Sequence, residues 1–443
     1  MGTPVVNLEP DLGVSDVGRR TVRRVALRLL PMVFLLYVIA YIDRVNVAFA
    51  NLRMSADLGF GDKAFGLGVG IFYLSYVLFE IPGAVIVERW SARKWIARIM
   101  ISWGIVTILT GFVRTTGEFY LARFFLGAAE ASFFPGMIVY LTHWFRRRER
   151  CRAIACLYAA VPAATLAGSP LAGWLLGIHW NGLAGWRWLF IVEGIPAVLV
   201  GIVVFLLMTD RPEQARWLRR EEQEWLSEQL LAEVEAKKKL KNYTILQAFV
   251  DFRVLALIAV WFLALCGYLG NAYWIPTFLK RLSGLPDRTV TTLMLVPAVI
   301  GIAGTLINGW HSDRTGEARK HAALPLLAGA AVFAMLAMVT LRVPIVIALL
   351  LFTTGIVYAF LPVFWSMPTR MLSGTAGAAT FGLINSVGQM GGLAGPYVIG
   401  FLNQKIHGLR ASFGFIAVLF LLASGLILSL KDRETGAGME KAS

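Results

Sequence analysis

Apolar runs of about 20 residues recur along this 443-residue chain, each long enough to cross the roughly 30 Å hydrocarbon core of a bilayer. A backbone in lipid must satisfy its own hydrogen bonds, so such runs fold as helices. Only 16% of the residues are charged, against roughly 25% in soluble chains. The sequence therefore predicts an all-α membrane protein with twelve transmembrane helices, at approximately residues 29–51, 65–87, 95–113, 118–141, 152–177, 187–208, 254–277, 289–309, 321–341, 344–367, 377–402 and 409–430.

The net charge of +15 follows membrane topology. If the chain begins in the cytoplasm, the basic clusters at residues 19–28, 89–94 and 146–152 all fall on the cytoplasmic side, as the positive-inside rule requires. This distribution argues against nucleic-acid binding. No cleavable signal peptide is visible, and the three cysteines, odd in number and on or beside helices, argue against a disulfide framework. We predict a multi-pass protein with both termini in the cytoplasm.

The spans divide six and six around a polar segment. We predict a cytoplasmic tail at 1–28, a six-helix half at 29–208, a cytoplasmic linker with an amphipathic helix at 209–251, a second six-helix half at 252–430 and a cytoplasmic tail at 431–443. A short motif recurs after spans two and eight, in which an acid is followed by arginine and then a basic pair. Two repeated halves are typical of transporters with a substrate site between them.

The repeated motif suggests a gating latch, in which ion pairs form in one state and break in another. An alternative is that its basic residues only set the topology. The residues of the predicted latch are Glu88, Arg89, Arg93, Asp313 and Arg314.

Four ionisable residues lie inside two of the most apolar stretches: Asp43, Arg44, Arg123 and Glu130. A charge at the bilayer centre costs about 2.5–3.5 kcal/mol on insertion scales, so such residues face a protein-lined cavity. Arg123 and Glu130 are two turns apart on one helix face. We expect these residues to share a chamber that binds an anion and handles protons.

Several motifs resemble the anion:cation symporter family of the major facilitator superfamily. They are Tyr41-Ile-Asp-Arg-Val-Asn46, Arg123-Phe-Phe-Leu-Gly-Ala-Ala-Glu130, Gly185-Trp-Arg-Trp-Leu-Phe-Ile-Val-Glu193, Asp210-Arg-Pro-Glu-Gln-Ala-Arg-Trp-Leu218 and Gly382-Leu-Ile-Asn-Ser386. The resemblance covers residues 20 to 430 and is strongest to the tartrate and phthalate branch, through Ala160-Val-Pro-Ala-Ala-Thr165 and Gly168-Ser-Pro-Leu-Ala-Gly-Trp174. It implies a monomeric carrier of organic anions in the bacterial inner membrane, driven by protons.

Residue roles follow from charge chemistry and from this resemblance. Arg44 offers a guanidinium fork to a carboxylate, and its alternative role is a fixed ion pair with Glu130 or Asp43. The predicted substrate-binding residues are Arg44, Tyr41, Tyr76, Asn271, Trp365, Asn385 and Arg123, and the predicted proton-coupling residues are Asp43 and Glu130.

Alternatives stay open for several of these positions. Arg123 is either a second anion contact or a structural residue that bonds carbonyls of a neighbouring helix. Asn385 has an interhelical hydrogen bond as its alternative role. Glu80 and Glu193, each near a proline, are expected to be structural, with proton coupling as their alternative.

The predicted function is proton-coupled import of a small organic carboxylate, tartrate-like or aromatic. Exchange or export of organic anions, or import of hexonates and hexuronates, are the alternatives. No Walker motif, metal-ligand spacing or catalytic motif is present, so we expect no ATP drive, no metal or other cofactor, and no enzyme activity. The expected partners are the anion, protons and the lipid bilayer.

Overall fold

The computed structural model describes residues 16–238, 252–371, 376–406 and 408–430. The predicted tails at 1–15 and 431–443 and linker residues 239–251 lie outside this part. Within it the secondary structure is helical: α1 (Asp16–Leu58), α2 (Asp62–Arg89), α3 (Ala92–Thr110), α4 (Thr116–Glu130), α5 (Phe133–Thr142), α6 (Arg147–Leu175), α7 (Gly185–Leu207), α8 (Arg220–Lys238), α9 (Phe252–Ser283), α10 (Asp287–Leu293), α11 (Leu295–Thr315), α12 (Ala318–Met338), α13 (Val343–Val357), α14 (Phe360–Met371), α15 (Ala376–Gln389), α16 (Gly391–Ile406) and α17 (Leu409–Ser429).

These helices account for the twelve predicted spans. Four spans are broken into consecutive pairs, α4–α5, α10–α11, α13–α14 and α15–α16, and the others are single helices. Ten stretches of the described residues are long and apolar enough to cross a membrane by themselves, and α3 and the pair α15–α16 complete the set. The predicted fold class is therefore confirmed.

The break in the fourth span positions one of the buried acids. Helix α4 ends at Glu130, and Ser132 follows with a left-handed φ of 71°, which a residue with a side chain rarely adopts. The Ser132 hydroxyl lies 3.2 Å from the carbonyl oxygen of Phe79 and 3.1 Å from that of Glu80, which fastens the break to α2. Glu130 is thereby held at a helix end inside the bundle.

Helices α1–α7 form one half and α9–α17 the other. The halves meet where α1 packs on α9, α2 on α16, and α6 on α10 and α11. Glycine permits the closest approach, because a Cβ at Gly66 would lie 2.3 Å from the carbonyl oxygen of Pro396. A Cβ at Gly400 would likewise lie 2.4 Å from the Asp62 carbonyl oxygen. Small residues at such points let helix backbones pack tightly.

The first helix is longer than the sequence suggested. It begins at Asp16, within the predicted tail, because the arginine-rich segment before Leu29 continues the same helix. Helix α8 of the linker is tied to it by an ion pair of 2.6 Å between Arg24 and the buried Glu222. A second pair, Arg150 with Glu233 at 3.2 Å, ties α8 to α6. The linker helix is therefore anchored to the end of the bundle where the chain begins.

Candidate functional site

A cavity of about 130 Å³ lies between the two halves. Its wall is mostly aromatic and comes from α1, α2, α5 and α6 on one side and from the second half on the other. Among its lining residues Arg44 is the only cation. The aromatic members are Tyr37, Tyr41, Tyr73, Tyr76, Phe134, Tyr158, Trp261, Tyr268, Tyr273, Tyr358 and Trp365.

Arg44 projects from α1 into this cavity and forms an ion pair with Glu130. Both side chains are largely buried, with 15% of the Arg44 side chain and 4% of the Glu130 side chain exposed. The Arg44 guanidinium carbon also lies 5.2 Å from the ring centroid of Tyr41 and 5.4 Å from that of Tyr76. Aromatic faces stabilise such a cation without neutralising it. A charged group facing a cavity at this depth can accept an anion in place of its partner.

Four predicted residues, Tyr41, Tyr76, Trp365 and Asn385, do line the cavity. The Asn385 amide also donates to a Glu80 carboxylate oxygen at 3.2 Å, and the Ser386 hydroxyl donates to the other oxygen at 2.9 Å. Glu80 on α2 thus links the two halves at the edge of the cavity, a contact that the sequence did not reveal. The substrate-binding roles of the four residues stay predictions.

Asn271 does not line the cavity in this conformation. Its amide donates to the Thr354 hydroxyl at 2.8 Å, inside the second half. Helix geometry explains the difference: Tyr268 and Ala272, four residues apart, lie on the cavity face, and Asn271 lies on another. The predicted substrate contact for Asn271 is therefore not what this conformation shows.

Arg123 is buried behind the cavity wall. Its side chain is 1% exposed and does not line the cavity. The guanidinium carbon lies 4.7 Å from the Phe72 ring centroid, and none of its three nitrogens has a hydrogen-bond partner within the described residues. The residue lies near Tyr73 and Tyr273, whose hydroxyls are 3.0 Å apart in the cavity wall. Arg123 therefore lies behind that wall and donates to no helix carbonyl among the described residues, so both of its roles stay predictions.

Asp43 does not share the chamber of Arg44. Consecutive helix residues point about 100° apart, and Asp43 faces the interior of the first half instead. The Trp103 indole donates to its carboxylate at 2.6 Å, and the Asn46 amide lies 3.5 Å away. Glu193 lies close enough for its charge to interact with Asp43, and the Asn46 side chain lies next to its carboxylate. Of the two predicted proton-coupling acids, Glu130 thus contacts the cavity residue Arg44, and Asp43 does not.

Ion pairs join the two halves at the end of the bundle opposite the N-terminus. Asp62 on α2 receives two bonds, of 2.5 and 2.6 Å, from Arg281 on α9. Arg53 on α1 pairs with Asp287 on α10, and the Lys280 ammonium forms a second ion pair with Asp287 at 2.8 Å. These contacts hold this end closed, and the sequence motifs did not indicate them.

The predicted latch lies at the other end. The side chains of Glu88 and Arg89 fall outside the described part of the structure. Arg93 bonds to the chain just after α7, where its backbone amide donates to Asp210 at 2.8 Å and its side chain donates to the Met208 carbonyl at 3.4 Å. Arg314 stacks over Trp310 at 5.4 Å, and the predicted role of Asp313 in the latch is not tested by this conformation. The latch stays a prediction for another state of the protein.

Comparison with known proteins adds to this geometry. The family model described as "Major Facilitator Superfamily" matches residues 33–396. An Agrobacterium vitis protein named "Putative tartrate transporter" is 42% identical over 425 residues, 95% of this chain and 98% of the relative. An Acinetobacter baumannii "Quinolone resistance transporter" is 36% identical over 418 residues, 94% of this chain and 95% of the relative.

The fold has a counterpart among solved structures. A bacterial homologue of the human lysosomal transporter Spinster, in an inward-facing and occupied conformation, superposes with a TM-score of 0.71. The two chains share 18% sequence identity, and the match covers 90% of this chain and 95% of the other. At this identity the similarity supports the arrangement of helices and nothing finer.

Proposed function

As a member of the Major Facilitator Superfamily, this chain is a multi-pass membrane transporter of a small organic substrate rather than an enzyme, and we propose that it imports an organic carboxylate together with protons. The proposed location is the bacterial inner membrane, with both termini in the cytoplasm. The proposed transport requires no cofactor and no ATP, and the proposed carrier works as a monomer.

The observation that carries this proposal is the position of Arg44. It is a permanent cation in the wall of a cavity between the halves, and its ion-pair partner is a titratable acid. Guanidinium geometry matches a carboxylate, which can replace Glu130 as the partner. When Glu130 takes up a proton, it releases Arg44 to the substrate. Substrate binding and proton binding are thereby coupled through one side chain.

The lining of the cavity matches a substrate that has one carboxylate and a planar ring. It offers a single cation and a wall of aromatic rings. A second, mostly apolar cavity of about 90 Å³ shares five of its lining residues: Val45, Thr165, Tyr268, Ala272 and Tyr358. This arrangement favours an aromatic carboxylate. The relatives named for tartrate favour a small hydroxy-dicarboxylate instead.

The proposed cycle uses the contacts between the halves. Opening toward the outside breaks the Asp62–Arg281 and Arg53–Asp287 pairs, and protons reach Asp43 and Glu130. Substrate then engages Arg44, the pairs form again, and the halves separate at the other end. This order of steps is alternating access, in which two halves rock around a central site.

Uptake into proteoliposomes tests the proposal. With an acidic exterior, we expect saturable accumulation of phthalate, 4-hydroxyphenylacetate or tartrate, and loss of accumulation when a protonophore collapses the gradient. Benzyl alcohol, which lacks the carboxylate, should not compete. Failure of every carboxylate on the panel, or accumulation indifferent to the gradient, would refute the proposal.

Export of organic anions is the second candidate. It is supported by the relative named for quinolone resistance. Counterflow and gradient reversal separate the two directions. Net outward movement of the anion, driven by an inward proton gradient, would establish export.

A further inference from the structure

Four arginines and a tryptophan surround an open cavity of about 670 Å³ at the end of the bundle where the chain begins. It is separate from the substrate cavity. The α1 residues in its wall follow the spacing of one helix face. They are Arg20, Arg23, Arg24, Leu27 and Arg28, and Trp217 from the linker completes the wall.

Neighbouring groups hold this surface in place and leave it positively charged. Arg24 pairs with the buried Glu222 at 2.6 Å, and Arg20 lies 3.6 Å from Glu221. The Arg28 guanidinium carbon lies 5.0 Å from the ring centroid of Trp217. Neither Arg23 nor Arg28 has a carboxylate partner within the described residues. Two guanidinium groups therefore stay available to an anion.

The position of the surface indicates where that anion comes from. Helix α1 has 43 residues, a length of about 64 Å, so its first turns extend beyond the roughly 30 Å hydrocarbon core. The face that carries the arginines continues into an exposed apolar stripe. Leu27 is 67% exposed, Leu35 is 49% exposed, and Pro31 between them is also exposed. An acyl chain against this stripe places its headgroup at the arginines.

We propose that this surface binds the phosphate of an anionic phospholipid. Arg23 and Arg28 supply the unpaired charge, Trp217 sits at headgroup level as interfacial tryptophans do, and Leu27, Pro31 and Leu35 contact the acyl chain. Topology signalling requires only positive charge. It does not require arginines gathered on one face, oriented by acids and a tryptophan, directly above an apolar stripe. The bound lipid bridges α1 and the linker.

Lipid retention by the purified full chain tests the site. Native mass spectrometry of the protein in mixed micelles compares retained phosphatidylglycerol with retained phosphatidylcholine. We expect the wild type to prefer phosphatidylglycerol, and the double variant Arg23→Gln/Arg28→Gln to lose that preference by about tenfold or more, since each surface arginine is worth roughly fivefold. The matched control is Arg114→Gln/Arg342→Gln, which removes two exposed arginines at the opposite end and should leave the preference unchanged.

Two further arms keep the outcome clear. Arg23→Lys/Arg28→Lys preserves the charge and should retain most of the preference, and all variants should unfold at the wild-type temperature in phosphatidylcholine alone. Equal phosphatidylglycerol retention by the Gln variant and the wild type would overturn the proposal. Displacement of the lipid by millimolar inorganic phosphate, shown by loss of the preference, would assign the site to free phosphate instead and would also overturn it.

Discussion

Replacing Arg44 with Gln should lower substrate affinity by at least about thirtyfold, because truncating one member of a buried charge pair costs roughly 2–5 kcal/mol. The loss has two sources. The substrate carboxylate loses its guanidinium partner, and Glu130 is left buried without a cation. Saturable uptake and thermal-shift binding, measured on the same preparation, report the effect.

Two variants show whether this loss is specific. Arg44→Lys keeps the charge but not the fork, so it should recover only part of the affinity. Arg114→Gln removes an exposed arginine at the end of the bundle opposite the N-terminus and should transport as the wild type does. Wild-type affinity in Arg44→Gln would show that the anion binds elsewhere.

Replacing Asp43 with Asn should abolish uptake driven by an imposed pH gradient while exchange of substrate across the membrane continues. Asp43 lies outside the substrate cavity, so its amide should not disturb substrate contacts directly. The amide cannot carry the proton that the proposed cycle requires. Paired assays of gradient-driven uptake and counterflow in proteoliposomes separate coupling from binding.

The same helix offers a matched control. Asp57 also accepts a hydrogen bond of 2.6 Å from a tryptophan indole, that of Trp186, but it lies at the exposed end of α1. Asp57→Asn therefore removes a similar contact without removing a buried acid, and gradient-driven uptake should survive. If Asp43→Asn also followed the gradient, the coupling role of Asp43 would be wrong.

The sequence predicted what depends on hydropathy and on depth in the membrane. The twelve spans follow from runs of apolar residues, and Arg44 and Glu130 stand out because charge is costly in such runs. Their ion pair was one of two arrangements left open. Nothing more than the position of each residue within its span was needed to expect them inside the protein.

Helix rotation could not be predicted in the same way. Asp43 and Arg44 are adjacent and lie at the same depth in the membrane, yet their side chains face different surroundings. Trp103 is not recognisable from sequence as the partner of Asp43. Asn271 was assigned to the cavity because glycines and a proline bracket its segment of span seven, but its amide nitrogen donates to Thr354 within the second half. A rotation of one residue changes what a side chain faces by about 100°.

Contacts between the halves could not be predicted either, because they depend on how the two halves pack together and not on the local sequence pattern. The Asp62–Arg281 pair joins residues 219 positions apart, and it requires the register of α2 against α9 to be known. The repeated motifs lie at the other end of the bundle, where Arg93 bonds to Asp210 at the start of the linker and not to the second half. We expect the predicted latch at one end and the ion pairs at the other to form in different states of a rocking carrier.

The central claim is that substrate and Glu130 compete for Arg44, and the pH dependence of substrate affinity in Glu130→Gln tests it most directly. In the wild type, affinity should rise as pH falls, by at most about tenfold per pH unit for one coupled proton, because protonated Glu130 releases Arg44. The variant has no carboxylate at this position, so its affinity should match that of the wild type at low pH and vary little with pH. A variant that binds weakly and keeps the wild-type pH dependence would contradict the claim.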